Sequence, residues 1–484
     1  MRELFLQYWH IFAGFFTLFI AIVASGHVVL NKRDSRAALL WAGFIWLVPV
    51  AGAVLYLLFG INRIRRRAAT LRSYERAYMT PPGPSDVSAV APADCPFSPE
   101  LGPYSALANL VHKLTARPLL PGNIIEPLIN GDEAYPAMIG AIDSAKSSIA
   151  LSTYIFDHDS SGKKFVEALD RAHQRGVEVR VLIDDAGSRY SAPTILGPLR
   201  KRHIRVALFM PTFAPAFFTA LNLRNHRKIL VIDGQVGFIG GLNIREGNVL
   251  ADHPANPIQD LHFRIEGPVV AQLQETFAED WLFTTKERLD GVGWFPSLSS
   301  KGTITAREVS DGPDEDFEKL RWTLLGAIAT AQHSIKVVTP YFVPDSAMIT
   351  ALTVAALRGV EVDIILPARN NLRFVQWATF GILWQIVYQG CRVWLTPGPF
   401  DHSKLMLVDG CWSLIGSANW DQRSLRLNFE VNLESYDKEL ASRLAAIVER
   451  KLSQATQVSL AQLDGRPLPI RLRDGVARLF APYL

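Results

Sequence analysis

Cysteine is scarce in this chain of 484 residues. There are three, Cys95, Cys391 and Cys411, with no C-x-x-C pair among them. That excludes a disulfide framework and a zinc ribbon or finger, and it fits a reducing compartment. Net charge is also small: a formal +4, with charged residues at 20% of the total. Charge alone therefore does not point to nucleic acid. No carboxylate cluster of the metal-site kind stands out. Long uncharged apolar runs are missing from all but the front, although 49% of residues are hydrophobic and mean hydropathy is +0.13.

Trp9 to Leu30 carries no Lys, Arg, Asp or Glu, and neither does Ala37 to Ile61. Each run is long enough to cross a hydrocarbon core of about 30 Å as a helix. No small-residue cleavage site followed by a polar mature chain appears after the first, so a signal peptide is the poorer reading. The expectation is a two-helix transmembrane hairpin, at about 9–30 and 37–61, within an anchor covering 1–78. Pro49 would kink the second span, and Trp9 in the first run and Trp41 and Trp46 in the second are partly placed for interfaces. Lys32, Arg33 and Arg36 occupy the intervening loop, and Arg63, Arg65, Arg66, Arg67, Arg72 and Arg76 follow the second run. The larger cluster predicts a multi-pass protein of the plasma (inner) membrane with its bulk in the cytoplasm. These arginines also suit anionic head groups.

Residues 79–103 are rich in Pro, Ala and Ser and read as a linker. Beyond it the sequence repeats itself. AIDSAKSSIALSTYIF at 141–156 is echoed by AIATAQHSIKVVTPYF at 327–342, and Arg175-Gly-Val-Glu-Val179 by Arg358-Gly-Val-Glu-Val362. Helical stretches alternate with short β-branched runs, which is the pattern of an α/β layer fold. Two similar halves are expected, at 104–300 and 301–484.

The repeat carries chemistry. His226-Arg-Lys228 is followed by four apolar residues and Asp233-Gly234, and His402-Ser-Lys404 by four more and Asp409-Gly410. Ten residues beyond each Asp stands an asparagine, Asn243 and Asn419, and every one of these pairs is offset by 176 residues. At this composition one H-x-K-x4-D match is expected roughly 0.02 times by chance. His and Lys two apart on an extended chain point to one side. If the halves pack about a pseudo-twofold axis, both imidazoles and both lysines meet. One imidazole can attack a phosphodiester while the other moves protons. The candidate catalytic set is therefore His226, Lys228, Asp233, His402, Lys404 and Asp409, with the two aspartates shaping the turn before glycine. Lys228, Lys404, Asn243 and Asn419 are the candidate ligands of the phosphate oxygens. No metal and no cofactor is required by this chemistry. A nucleophilic imidazole needs its tautomer held, and Asp260 and Glu430 are the candidate orienting acids, each about thirty residues past its own histidine (34 and 28).

These residues resemble the phospholipase D superfamily, defined by the paired H-x-K-x4-D motif. The closer likeness is to the bacterial cardiolipin synthase family with two N-terminal membrane helices. It rests on Asn225-His-Arg-Lys228, Thr339-Pro-Tyr-Phe-Val-Pro344 and Arg423-Ser-Leu-Arg-Leu-Asn-Phe-Glu430, and on the arginine-rich exit of the second apolar run. The resemblance implies two phospholipase D-like α/β/α sandwich halves, no metal, and condensation of two phosphatidylglycerol molecules to cardiolipin with release of glycerol. It also implies His226 as nucleophile and His402 as acid/base, though near-symmetry leaves the reverse open. Trp420 departs from the family's usual leucine and bears on lipid fit.

Apolar stretches at Leu208–Leu223 and Arg373–Tyr388, and the Arg- and Phe-bearing tail from Arg466, are candidates for lipid contact as well as for core. His158 sits in a probable solvated turn, and His112, His173, His203 and His333 read as structural. Three alternatives stay open. A phospholipase D would use water as acceptor, and another head-group transferase a different alcohol. A tethered nuclease would want a basic groove interleaved with aromatics, whereas the basic cluster here is at the membrane exit. A binding scaffold would have no need of two complete His-Lys-Asn sets.

Overall fold

The computed structural model describes residues 2–32, 35–60, 102–211, 223–312 and 318–481. Linker residues 79–101 and the arginines from Arg63 to Arg76 lie outside the described residues, as does most of the Leu208–Leu223 stretch. The chain forms two compact units, one ending at Arg67 and the other beginning at Ala68.

In the first unit, α1 (Arg2–Asn31) contains the apolar stretch Ile11–Asn31. At 1.5 Å per residue that stretch is about 32 Å long, enough to cross a bilayer. The second apolar run is not one span. It breaks at Val48-Pro49 into α2 (Ser35–Leu47) and α3 (Pro49–Leu55), because proline removes a donor and its ring crowds the preceding turn. The chain then doubles back. In a continuous helix the rings of Trp41 and Tyr56 would be about 22 Å apart along the axis; their centroids lie 5.4 Å apart. Gly52 permits the return, since a Cβ there would fall 2.8 Å from the Ile45 Cα. Tyr56 also meets His27, near the end of α1, at 2.9 Å. The expected hairpin of two full spans is thus corrected to one long helix and a folded-back pair of short ones.

In the second unit one sheet runs through both halves. The first half supplies β1 (Leu120–Ile129), β2 (Ser148–Thr153), β3 (Glu178–Asp184), β4 (Arg205–Phe209), β5 (Ile229–Ile232), β6 (Val236–Gly240) and β7 (Leu261–Glu266). The second supplies β8 (Ile304–Asp311), β9 (Ser334–Val338), β10 (Glu361–Pro367), β11 (Arg392–Thr396), β12 (Leu405–Val408), β13 (Trp412–Gly416) and β14 (Asn428–Tyr436). The order is β11-β10-β9-β12-β13-β14-β8-β1-β7-β6-β5-β2-β3-β4. Read from the centre outward, both arms follow one plan, which is the pseudo-twofold arrangement expected. The antiparallel β1–β8 pair is the seam.

Helices cover both faces. α4 (Asn130–Ser144) and α5 (Ser160–Gln174) pack on the first half, and α6 (Lys319–Thr330) and α7 (Ser346–Leu357) on the second. Equivalent caps start α5 and α7: Asp159 accepts from Gly162 N–H, and Asp345 from Met348 N–H, both at 2.9 Å. On the other face α8 (Val270–Thr285) and α9 (Lys438–Leu452) share one core. Phe263, Val270, Leu273 and Phe277 pack there with Leu433, Leu440 and Leu444. The halves therefore fold against each other as one body. Across the seam Arg117 Nε pairs with Glu308 at 2.9 Å, and Arg307, ion-paired with Glu434 inside the second half, donates to Ala108 O and Arg117 O.

Candidate active site

The sequence places each histidine just before a buried strand, and the structure adds what holds it. The pieces preceding the histidines pair across the halves. Arg224–Asn225 runs parallel to Asn428–Phe429, and His226 N–H donates to Phe429 O at 2.9 Å. Phe400–Asp401 runs parallel to Ile258–Gln259, and His402 N–H donates to Gln259 O at 2.7 Å. The next residues along those partner segments are Glu430 and Asp260. Each carboxylate therefore reaches the imidazole of the opposite half.

His226 Nδ1 lies 3.0 Å from Glu430 Oε2, and His402 Nδ1 lies 2.8 Å from Asp260 Oδ2. Spacing along the chain had matched Asp260 with His226 and Glu430 with His402; the structure exchanges the partners. The acids themselves are firmly held. Glu430 Oε2 also accepts from Ser417 Oγ at 2.5 Å, and Oε1 from Asn428 Nδ2 at 3.1 Å. Asp260 Oδ1 accepts from Leu261 N–H at 2.8 Å. Gly241 stands where the second half has Ser417, and a Cβ at Gly241 would lie 2.2 Å from that Asp260 oxygen.

The lysines are buried as well. Lys228 Nζ donates to His226 O at 2.7 Å and lies over the Tyr154 ring at 5.5 Å, while Lys404 Nζ donates to His402 O. Asn243 Oδ1 accepts from Ile155 N–H at 3.1 Å. Asn419 Nδ2 donates to Ser424 Oγ at 3.0 Å, and Asn419 Oδ1 is buried without a hydrogen-bond partner.

Burial sets the electrostatics. It lowers the pKa of both imidazoles. For His402 the value is pushed to about 4: the Lys404 charge adds to the effect, and Asp260 opposes it without prevailing. Burial likewise lowers Lys228 to about 7 and Lys404 to about 8, with Glu430 and Asp260, respectively, the largest opposing charges. For Glu430 burial acts upward, but His226, Lys228 and the Ser417 bond outweigh it and hold the carboxyl below its usual range. At neutral pH each imidazole is thus neutral. A neutral ring that donates Nδ1–H to its carboxylate presents an unprotonated Nε2.

Asp233 and Asp409 do not join this group, which corrects their place in the catalytic set. Each lies seven residues past its histidine, beyond a four-residue strand, about 23 Å along an extended chain. Asp233 (φ 52°) and Gly234 (φ 64°) form a tight turn closed by Gln235 N–H to Ile232 O, and Asp409 (φ 50°) and Gly410 (φ 60°) repeat it. Their carboxylates accept from the backbone N–H groups of Lys146, Ser147 and Ser148, and of Gln332, His333 and Ser334. They anchor the starts of β2 and β9.

Residue-by-residue reading missed the aromatic walls. The Tyr154 ring lies 5.2 Å from the His226 ring, and Tyr341 and Phe400 lie 6.1 Å and 5.9 Å from His402. The tyrosines stand at the ends of the echoed 141–156 and 327–342 segments, which was the available signal. Trp420 is buried and stacked on Phe342, with centroids 6.0 Å apart. It lines a small cavity together with Lys404 and Asn419.

Comparison with known proteins agrees with this geometry. The family described as "Cardiolipin synthase, PLD-like domain" matches residues 138–281 and 324–452, and "Phospholipase_D-nuclease N-terminal" matches 19–60. The cardiolipin synthase of Listeria monocytogenes serotype 4a (strain HCC23) is 30% identical over 460 residues, covering 94% of this chain and 95% of that protein. That of Geobacillus thermodenitrificans (strain NG80-2) is 32% identical over 474 residues, covering 96% and 92%. Among solved structures, the phosphatidylserine synthase of Haemophilus influenzae Rd KW20 superposes with a TM-score of 0.61 at 17% identity, over 78% of this chain and all of that one, which shows a shared fold. With two matched halves and relatives spanning nearly its whole length, the chain belongs to the cardiolipin synthase family of phospholipase D-like phosphatidyltransferases.

Proposed function

We propose that this site moves a phosphatidyl group from one phosphatidylglycerol to the head-group hydroxyl of another, giving cardiolipin and glycerol. The observation that carries the reading is the pair of neutral, buried imidazoles, each held by a carboxylate of the other half, with two buried lysines beside them. His226 Nε2 attacks phosphorus and the bond to the head-group glycerol oxygen breaks. His402 gives that oxygen a proton and glycerol leaves. His402 then takes the proton of the second lipid's hydroxyl, whose oxygen displaces His226 from phosphorus. An incoming phosphodiester anion raises the pKa of a nearby imidazole, so His402 gains its proton in the substrate complex.

Lys228 and Lys404 neutralise the non-bridging oxygens, and Asn243 and Asn419 complete the cradle. Turning the Asn419 amide over keeps its Ser424 bond, with the hydroxyl donating, and frees the amide N–H2 for a phosphate oxygen. Neither metal nor cofactor takes part. Phosphatidylglycerol supplied alone with a chelator should yield cardiolipin and glycerol by mass spectrometry, with both products lost in His226→Ala and His402→Ala. Phosphatidic acid as the sole product would make the chain a hydrolase.

The membrane reading is revised by the folded-back helices. α1 crosses the plasma membrane once, and α2 and α3 enter and leave on the face where α1 ends. In the sequence Lys32, Arg33 and Arg36 follow α1 and a cluster of arginines follows the second apolar run, and the rule for positive loops assigns this charge to the cytoplasm. The catalytic unit is cytoplasmic and the N-terminus is outside.

A further inference from the structure

The last long helix, α10 (Leu468–Leu479), is packed with its polarity reversed. Asp474, 1% exposed, faces the protein with Ala477 and Ala481, while Arg466 and Arg473 hold the aspartate at 2.6 Å and 2.7 Å. The large apolar side chains face outward: Leu468 is 65% exposed, Leu472 60%, Val476 54% and Leu479 70%, with Phe480 48% exposed just beyond the helix. At 100° per residue these five fall in one stripe about 120° wide, opposite the packed face. Arg473 flanks one side of the stripe and Arg471 and Arg478 the other. An ordinary surface helix buries its apolar stripe and exposes its charges; this one does the converse.

The patch is larger than the helix. The Phe480 ring meets the exposed Phe374 at 5.7 Å, and exposed Leu372 and Arg373 adjoin it. The same packing leads to the active site. Val375, Ala378 and Ala477 form a small core against which Tyr341 and Trp377 pack; Arg473 sits over the Trp377 ring at 4.5 Å, and Tyr341 is the wall of His402. The packing therefore runs without a break from α10 through the Val375, Ala378 and Ala477 core to the Tyr341 ring and the His402 imidazole.

We propose that α10 and the adjoining Leu372–Phe374 segment form a docking surface that lies in the head-group layer of an anionic bilayer, Leu468, Leu472, Val476 and Leu479 entering the acyl boundary and Arg471, Arg473 and Arg478 meeting lipid phosphates. The occupant is a lipid surface because an apolar stripe edged by arginine on both sides matches the two layers such an interface presents. A protein groove would match the stripe without requiring the cationic edges. Its packing connection to Tyr341 and His402 makes it the entry side for lipid, a part of the inference that rests on the function proposed above.

The test uses the full chain with Cys95, Cys391 and Cys411 replaced by alanine. An environment-sensitive fluorophore is attached at Leu472→Cys, or at Glu439→Cys as an exposed control away from the patch. In phosphatidylcholine vesicles containing phosphatidylserine, the probe at 472 should shift to the blue and be quenched by acyl-chain spin labels, and the control should not. Omitting phosphatidylserine should weaken the effect. A probe at 472 that is never quenched by lipid, or that shifts only with protein concentration as copies associate, overturns the proposal. These readouts do not depend on catalysis, so absence of any phosphatidylglycerol turnover would count against the proposed function alone. In the active chain, Leu472→Asp with Leu479→Asp should raise the bilayer lipid needed for half-maximal turnover about tenfold, with turnover of a dispersed short-chain phosphatidylglycerol and the melting temperature unchanged. Equal loss on both substrates would make the stripe structural and overturn the docking reading.

Discussion

Glu430→Gln is the most informative single change, because it keeps shape and removes one function. Three donors converge on the Glu430 carboxylate: His226 Nδ1 and Ser417 Oγ on one oxygen, Asn428 Nδ2 on the other. A glutamine has one acceptor oxygen. If that oxygen meets Asn428, the amide N–H2 faces His226 and forces the imidazole to accept at Nδ1. The proton then moves to Nε2 and the nucleophilic lone pair is gone. If the oxygen meets His226 instead, two N–H2 groups oppose each other in a fully buried site. The change also removes the largest charge supporting protonated Lys228, already lowered to about 7. In a serine-protease triad the matching Asp→Asn change costs about 10⁴ in kcat. The expectation here is a fall of about 10³–10⁴, roughly 4–5.5 kcal/mol of transition-state stabilisation.

The assay is initial-rate release of glycerol from phosphatidylglycerol, with circular dichroism to verify folding. The cross-half pairing adds a sharper requirement. Glu430→Gln placed on His226→Ala should cost far less than it does alone, since only its effect on the Lys228 charge remains. A folded Glu430→Gln protein within tenfold of the unsubstituted rate would refute the orienting role. A full additional loss on top of His226→Ala would refute the pairing.

Three further outcomes follow from the same coordinates. If Lys228 and Lys404 bind phosphate as cations, kcat/KM for the free enzyme should fall as pH rises through 7 to 8, where these lysines lose their protons; a profile flat to pH 9 would remove them from that role. Asp409→Asn should lower stability by about 1–2 kcal/mol, given three backbone N–H partners of a half-exposed carboxylate, and leave kcat intact, as measured by denaturant unfolding and by turnover. Its carboxyl is held below the usual value by those bonds despite the upward effect of burial, so its stabilisation is present above about pH 4 and disappears as acid titrates it. Finally, Lys32→Cys and Arg63→Cys should both be shielded from a membrane-impermeant maleimide added outside intact cells; two full spans would expose one and shield the other.

The parts legible in the sequence were those set by local pattern. Alternating helical and β-branched runs, and a motif repeated at constant offset, sufficed for two α/β halves about a pseudo-twofold. Asp-Gly marked the turns at Asp233 and Asp409, and the structure adds the clamp on the neighbouring strand. The orienting acids were identifiable as residue types near the right positions. Their partners were not, because chain separation says nothing about which half's edge a short segment joins. The second apolar run failed for a similar reason. Its composition satisfies a full span, but Pro49 and Gly52 together allow α3 to pack back on α2, and composition does not register a reversal. The wall tyrosines were hidden because an aromatic at a strand end reads as core until its neighbour is known.

The exchange of partners has a consequence for how the site can exist. A half that carried its own histidine and its own acid would hold a correctly oriented imidazole before assembly. Here neither does: His226 gains its acceptor only when β14 of the second half lies beside the Arg224–Asn225 segment, and His402 only when Asp260 follows the 258–259 piece into place. Docking the halves through the shared core of Phe263, Phe277, Leu433 and Leu444 therefore does three things at once. It buries both lysines, it excludes water from the imidazoles, and it fixes both tautomers. Without that contact neither histidine has its acceptor. Burial that lowers the lysine and histidine pKa values is tolerable only because the same contact supplies Glu430 and Asp260, and this coupling links folding of the seam to competence of the chemistry.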